Sequence, residues 1–180
     1  GEEANDGGLV IVVPWEYPII ILSCTIIVLM VFCTGFTVVP GARKSYFTKE
    51  FLESIKEEHQ TAFPGTSIAP DGMPDLGEGR YGRKLGYSEW VKFNNAQRIH
   101  QNFAEQLPIV LTILLVSGLF LPLITMIVSF VYIVGRLVYM IMYQKRGSNA
   151  RKIGSILSGT PLYLLGIVAL VMGLIKATEQ

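Results

Sequence analysis

The chain has 180 residues, a formal net charge of +1, and 51% apolar or aromatic residues. Its mean hydropathy is positive, which argues against an ordinary soluble domain. No basic patch is interleaved with aromatics, which excludes nucleic acid as an expected partner, and Cys24, Cys33, His59 and His100 form no metal-ligand spacing.

The apolar residues gather in runs at 9–39, 107–134 and 153–175, with most charges between them. A helix needs about 20 residues to cross a ~30 Å hydrocarbon layer. The pattern predicts an all-α integral membrane protein, one domain built as a four-helix bundle. The first helix is predicted over 17–38, with Trp15 and Tyr17 at an aromatic-belt position and Pro14 and Pro40 as brackets. Arg43 and Lys44 form an abrupt polar stop.

Residues 45–92 are polar. Phe47, Phe51, Leu52 and Ile55 recur at helical spacing, which predicts a short amphipathic helix on the membrane surface over 48–60. The stretch 64–86 is rich in glycine and proline and reads as irregular loop.

The second helix is predicted over 94–120, opening in polar sequence and becoming apolar at Leu107. Gly118 and Pro122 predict a tight turn at 120–122, and the third helix runs over 122–143. A basic loop with Lys145, Arg146, Arg151 and Lys152 leads to the fourth helix, 153–175. Both lysine- and arginine-rich loops fall on one side, and the N-terminal tail carries Glu2, Glu3 and Asp6. The distribution predicts cytoplasmic loops and both termini outside.

Arg98, Asn102 and Glu105 stand at i, i+4 and i+7, one stripe of the second helix where it enters the apolar run. An interfacial ion pair explains such a stripe as well as a binding site does. Glu105 is the deepest of the three, and an acid at depth faces a bundle interior or a functional site. In the third helix Arg136, Tyr139 and Tyr143 share a face. Arg136 is expected to pair with Glu105, while Tyr143 also reads as a belt residue. Together these groups describe a polar pocket at the cytoplasmic edge, suited to a small zwitterionic or anionic ligand.

Two motifs carry a resemblance. Arg98-x-His100-Gln101-Asn102-x-x-Glu105-x-x-Pro108 and Val134-Gly135-Arg136-x-x-Tyr139-x-x-x-Tyr143 resemble the second and third helices of the membrane-associated proteins in eicosanoid and glutathione metabolism, the MAPEG family. Glu16-Tyr17 and Gly41-Ala42-Arg43-Lys44 resemble the ends of that family's first helix, and the nearest resemblance is to its type-3 microsomal glutathione transferases. The resemblance implies a homotrimer binding glutathione, as co-substrate, between subunits near the cytoplasmic face. By position it implies Arg98, Asn102, Glu105, Tyr139 and Tyr143 as glutathione-binding residues and Arg136 as structural or ligand-adjacent. It implies Arg151 as the thiolate-stabilising arginine, with Arg146 as the alternate and Arg43 in an assisting position. It further implies lipophilic electrophiles or lipid hydroperoxides as second substrates, drawn from membrane lipid. An endoplasmic reticulum membrane is implied, with mitochondrial or other organelle membranes as alternatives.

The chain departs from the leukotriene-synthesising branch, where a tyrosine follows the second-helix glutamate; here it is Gln106. Residues 45–92 also make a longer first loop than in the better-known members, suited to a lid or a docking surface. The competing readings are a non-catalytic scaffold of the same family and an accessory subunit of a larger membrane complex. Gly77-Glu78-Gly79-Arg80-Tyr81-Gly82 matches a dinucleotide-binding glycine pattern but lacks the preceding strand and following helix, so that reading is rejected. His100 lies off the Arg98 stripe and is expected on the helix surface or at a subunit contact. Gly154, Gly159, Gly166 and Gly173 are expected to permit close helix packing.

Overall fold

Four long stretches poor in internal charge each form one membrane-length helix in the computed structural model, which describes residues 13–69 and 75–178. The acidic residues Glu2, Glu3 and Asp6 lie outside the described residues. No strand occurs among the described residues. The first span comprises α1 (Glu16–Cys33), a π-helical turn (Thr34–Val38) and α2 (Val39–Tyr46). Two short helices follow, α3 (Lys49–Ser54) and α4 (Lys56–Ala62). After a 3₁₀ turn (Gly82–Lys84) come α5 (Tyr87–Phe120), α6 (Pro122–Arg146) and α7 (Lys152–Thr178).

The first span continues past Pro40 to Tyr46 instead of ending near Val38. The π turn explains this. It shifts the hydrogen-bond register, so that Pro40, which has no N–H to give, falls in the first turn of α2. Gly35 makes room there for the His100 ring of α5: a Cβ at Gly35 would lie 3.0 Å from His100 Cε1.

The bundle core is apolar: Ile20, Ile27, Val110, Leu114, Leu162 and Leu165 are buried against one another. Inside it the Ser129 and Ser23 hydroxyl oxygens meet at 2.9 Å. The outside is apolar as well, with Leu22, Phe36, Leu119, Leu164 and Leu170 all exposed. Water would penalise such a surface, and hydrocarbon does not. The protein is an all-α membrane four-helix bundle.

The closest approach is between α6 and α7. A Cβ at Gly154 would lie 2.3 Å from the Tyr139 amide nitrogen, and one at Gly135 would lie 2.7 Å from that of Ser158. Only glycine allows this backbone contact, which holds Tyr139 beside the start of α7. Gly166 also packs closely, against Ile113, whereas nothing lies within 4 Å of a Cβ at Gly173.

Residues 47–62 do not present their apolar side to the membrane surface. Phe47 and Ile55 are buried, and Phe51 and Leu52 pack on a small core of Phe47 and Phe93 with Tyr81 and Leu85. The loop supplies an alternative apolar surface, so the amphipathic pattern is satisfied within the protein. Periodicity reports that one face is buried, not what buries it.

Candidate functional site

At 1.5 Å per residue α5 is about 50 Å long, well beyond a ~30 Å hydrocarbon layer. Its first turns therefore stand outside the apolar layer, where the long loop docks on them. The docking element is the turn at 75–82. The Asp75 carboxylate accepts from the backbone N–H groups of Gly77 (2.8 Å), Tyr81 (2.7 Å) and Gly82 (3.0 Å). Gly77 has φ +101°, and its carbonyl accepts from Trp90 Nε1 at 2.6 Å and Asn94 Nδ2 at 3.2 Å, both on α5. A Cβ at Gly82 would lie 2.7 Å from the Gly77 carbonyl carbon. The glycine pattern thus builds a compact turn, and the amides that would cradle a phosphate are filled by Asp75.

Between this turn and α5 lies a cleft of about 700 Å³, walled by Glu78, Arg83, Trp90, Asn94, Arg98 and Tyr143 among others. This volume falls in the range of small-molecule sites. A second cleft, of about 470 Å³, shares Glu78, Asn94 and Arg98 with the first and continues past His100, Gln101 and Ala104. Arg98 is the exposed ridge between the two.

Arg136 is buried, with 1% of its surface exposed. Its Nη1 donates to Asn102 Oδ1 at 2.9 Å and, more weakly, to Gln106 Oε1 at 3.4 Å. The guanidinium lies 3.9 Å from the Phe103 ring centroid and 4.5 Å from that of Tyr139. Its Nε and Nη2 are buried without a hydrogen-bond partner among the described residues. Aromatic faces and amide dipoles solvate this cation, not a carboxylate.

The expected Arg136–Glu105 pair is therefore not formed. Glu105 is exposed and accepts from Gln101 Nε2 at 2.9 Å. Helical geometry gives the reason. Asn102 and Gln106, four apart, share the face turned to α6, and Glu105 sits roughly 60–100° around the helix from them by the ~100° step. Within one chain, Arg98, Gln101 and Glu105 form an outer face of α5, while Asn102 and Gln106 form an inner one.

Tyr139 and Tyr143 are buried and stack edge to face at 5.6 Å. The Arg151 guanidinium lies 5.2 Å from the Tyr143 ring centroid. The Tyr139 hydroxyl is buried, with the Arg151 and Arg136 guanidinium groups both near it. Arg146 is exposed in the last turn of α6. Arg43, half-buried on α2, is not among the residues walling the larger cleft. One cleft thus brings Arg98 and Tyr143 together, with Arg151 against Tyr143; Asn102 joins Arg136, and Glu105 stands apart.

His100 packs into the first span instead of lying free on the helix surface. Thr34 Oγ1 donates its one proton to the Val31 carbonyl at 2.8 Å, so it accepts from His100 Nδ1–H at 3.0 Å. Gln106 and Phe103 are partners of Arg136 that motif matching passes over. Extending the Asn102 stripe by one helical step finds Gln106, and placing an aromatic beside a buried arginine finds Phe103. Trp90 and Asn94 carry no sequence signal, because their role depends on where the Gly77 carbonyl arrives.

The profile of the MAPEG family matches residues 20–171. Comparison with curated proteins finds no match. Members of this family are membrane proteins that in general use glutathione and assemble as trimers. The match spans all four membrane helices, and the chain belongs to the MAPEG family.

Proposed function

We propose that this protein is a membrane-bound glutathione transferase with glutathione-dependent peroxidase capacity, acting on lipophilic electrophiles or lipid hydroperoxides as a homotrimer. The observation that carries the reading is the position of Arg151, against the ring of a tyrosine that walls the 700 Å³ cleft beside Arg98. Glutathione in that cleft brings its thiol toward a fixed guanidinium. A thiol of pKa about 8.5 becomes a thiolate more readily next to a cation, and a tenfold gain in ionisation corresponds to about 1.4 kcal/mol.

Each site residue has a role in this reading. Arg98 takes a carboxylate. Asn102, with its oxygen held by Arg136, offers its amide N–H groups. Tyr139 and Tyr143 supply hydroxyls near the thiol. Glu105, on the outer face of α5, meets ligand across a subunit boundary, in keeping with the general trimeric state of the family. Arg43 assists from the first span, and Arg146 is the alternate to Arg151. In conjugation the thiolate sulfur forms a bond to an electrophilic carbon and the leaving group departs as an anion. In peroxide reduction two glutathione molecules become the disulfide while the hydroperoxide becomes an alcohol and water. The membrane of the endoplasmic reticulum is the proposed location, with the basic loops in the cytoplasm.

The test is conjugation of glutathione with a chlorinated nitrobenzene by purified protein in detergent, beside Arg151→Ala. Chloride release that falls at least tenfold in the variant supports the reading. Wild-type protein that neither binds glutathione nor releases chloride contradicts it and leaves the scaffold reading. Co-purification with a stoichiometric large partner supports the accessory-subunit reading instead.

A further inference from the structure

The helices α2, α5 and α6 part from one another at the loop end of the bundle. Val38 and Met140 still pack on the core formed by Ile99, Phe103, Tyr139 and Tyr143. One helical turn further out, Ala42, Asn95 and Gln144 stand instead around an open crevice of about 380 Å³, together with Thr37, Tyr46 and Lys92. Gly41 also walls it, and nothing lies within 4 Å of a Cβ added there.

The crevice differs in charge from the others at this end. Each of the two clefts beside Arg98 includes Glu78, and the one under α4 includes Glu58 and Asp75. No acid walls this one, and Lys92 gives it a cation. The side chains of Tyr46, Lys92, Asn95 and Gln144 make no hydrogen bond or ion pair among the described residues. Tyr46 is nonetheless held in place, since its ring packs on the core of Phe47 and Phe93. An ammonium, a phenol and two amides thus converge with their donors unspent.

Height in the membrane narrows what these donors meet. About 20 residues of α6 counted from Pro122 cross a ~30 Å hydrocarbon layer and end at Ile141. Gln144 follows one turn above, at the level of lipid headgroups. Below Gln144, α6 carries Ile141, Leu137, Val134 and Phe130 at i−3, i−7, i−10 and i−14, all exposed. An exposed apolar stripe therefore runs down the membrane face of α6 from the polar crevice.

We propose that the crevice is a binding site for the phosphate headgroup of an anionic phospholipid in the leaflet on the loop side. Lys92 takes the phosphate charge, and Tyr46, Asn95 and Gln144 donate to its oxygens. The acyl chains lie along the α6 stripe. A basic pocket between membrane helices, free of acids, complements such a headgroup, and a zwitterionic lipid gains less there because its own ammonium faces Lys92. A soluble phosphate shares the headgroup chemistry but leaves the stripe uncovered. The crevice meets the larger cleft only at Asn95, so this site does not depend on glutathione.

The test is native mass spectrometry of the purified protein in detergent, with an equal mixture of phosphatidylglycerol and phosphatidylcholine bearing the same acyl chains. Wild type should retain phosphatidylglycerol over phosphatidylcholine by about fivefold. Lys92→Ala and Gln144→Glu should bring the ratio close to one, and Lys92→Arg should keep most of the preference. Lys152→Ala removes a cation at the same end of the bundle but outside the crevice, and should leave the ratio unchanged. Millimolar inorganic phosphate should not displace the lipid. Wild type without preference would overturn the site. Equal losses in Lys92→Ala and Lys152→Ala would overturn it in favour of diffuse surface charge. Displacement by inorganic phosphate would overturn it in favour of a soluble-anion site.

Discussion

Arg136 donates to the Asn102 amide oxygen at 2.9 Å, with its guanidinium over the Phe103 ring. The pair sets which way the Asn102 amide faces, because its oxygen is committed and its N–H groups are left as donors. Arg136→Lys keeps the charge but loses the planar fork and the stacking. The expected outcome is a folded protein with glutathione affinity reduced about tenfold. Arg136→Ala in addition leaves Asn102 and Gln106 without their donor, at a cost of about 2 kcal/mol. Isothermal calorimetry and thermal unfolding in detergent check the two, and unchanged affinity in Arg136→Lys would contradict the positioning role.

Asp75→Ala removes the acceptor for three amides at once. The turn should loosen by roughly 1–3 kcal/mol while the bundle stays intact. Hydrogen exchange reads this directly. The amides of Gly77, Tyr81 and Gly82 should exchange faster, and those of α6 and α7 should not change. Uniform acceleration across the chain would show that the turn is not a separable unit.

Gly154→Val should be the most damaging of the glycine substitutions. Its Cβ would fall 2.3 Å from the Tyr139 backbone nitrogen, so α6 and α7 must separate. A loss of roughly 3 kcal/mol or more is expected, by overpacking. Gly173→Ala, which has open space, should be within about 0.5 kcal/mol of wild type. Thermal midpoints of the two variants decide it.

The contact between α4 and the glycine turn should depend on pH and salt. The Glu58 carboxyl is held below its ordinary value first by the hydrogen bond from Lys84 and then by the charges of Arg80 and Lys84. A lowered folded-state value means that the contact is at full strength above the ordinary glutamate range and is lost as pH falls through the lowered value. Proteolytic nicking of residues 63–69 should therefore rise only in strong acid, or in high salt at neutral pH. Glu58→Gln should show the nicking at neutral pH and no further acid response.

The four spans were legible because a membrane helix must satisfy its backbone internally and show lipid an apolar side, and both demands are written in composition. The α5–α6 turn was legible from Pro122, which opens α6, whereas Gly118 stays helical and makes room for Tyr17 and Ile20 of the first span. Arg136 was recognisable as a buried cation, but its partner was not. An arginine in lipid can be satisfied by an acid or by amides and rings, and only the angular offset of Glu105 from the Asn102–Gln106 face decides between them. The Asp75 turn was missed because its logic is tertiary: glycines 77, 79 and 82 serve one aspartate and two α5 side chains that come after them in sequence. His100 was missed for a similar reason, since its site exists only where the first span widens at Thr34 and Gly35 gives up its side chain.

The central claim is that Arg151 lowers the pKa of bound glutathione thiol. The most direct measurement is the thiolate absorbance of glutathione saturating the purified protein, titrated from acid to base, for wild type and Arg151→Ala. The account predicts a bound thiol in wild type that ionises at pH 7.5 or lower, about tenfold more readily than the free thiol of pKa about 8.5. In Arg151→Ala the titration should return toward the free value while binding persists. A wild-type titration at the free value, or one that Arg151→Ala leaves unmoved with glutathione still bound, would contradict it.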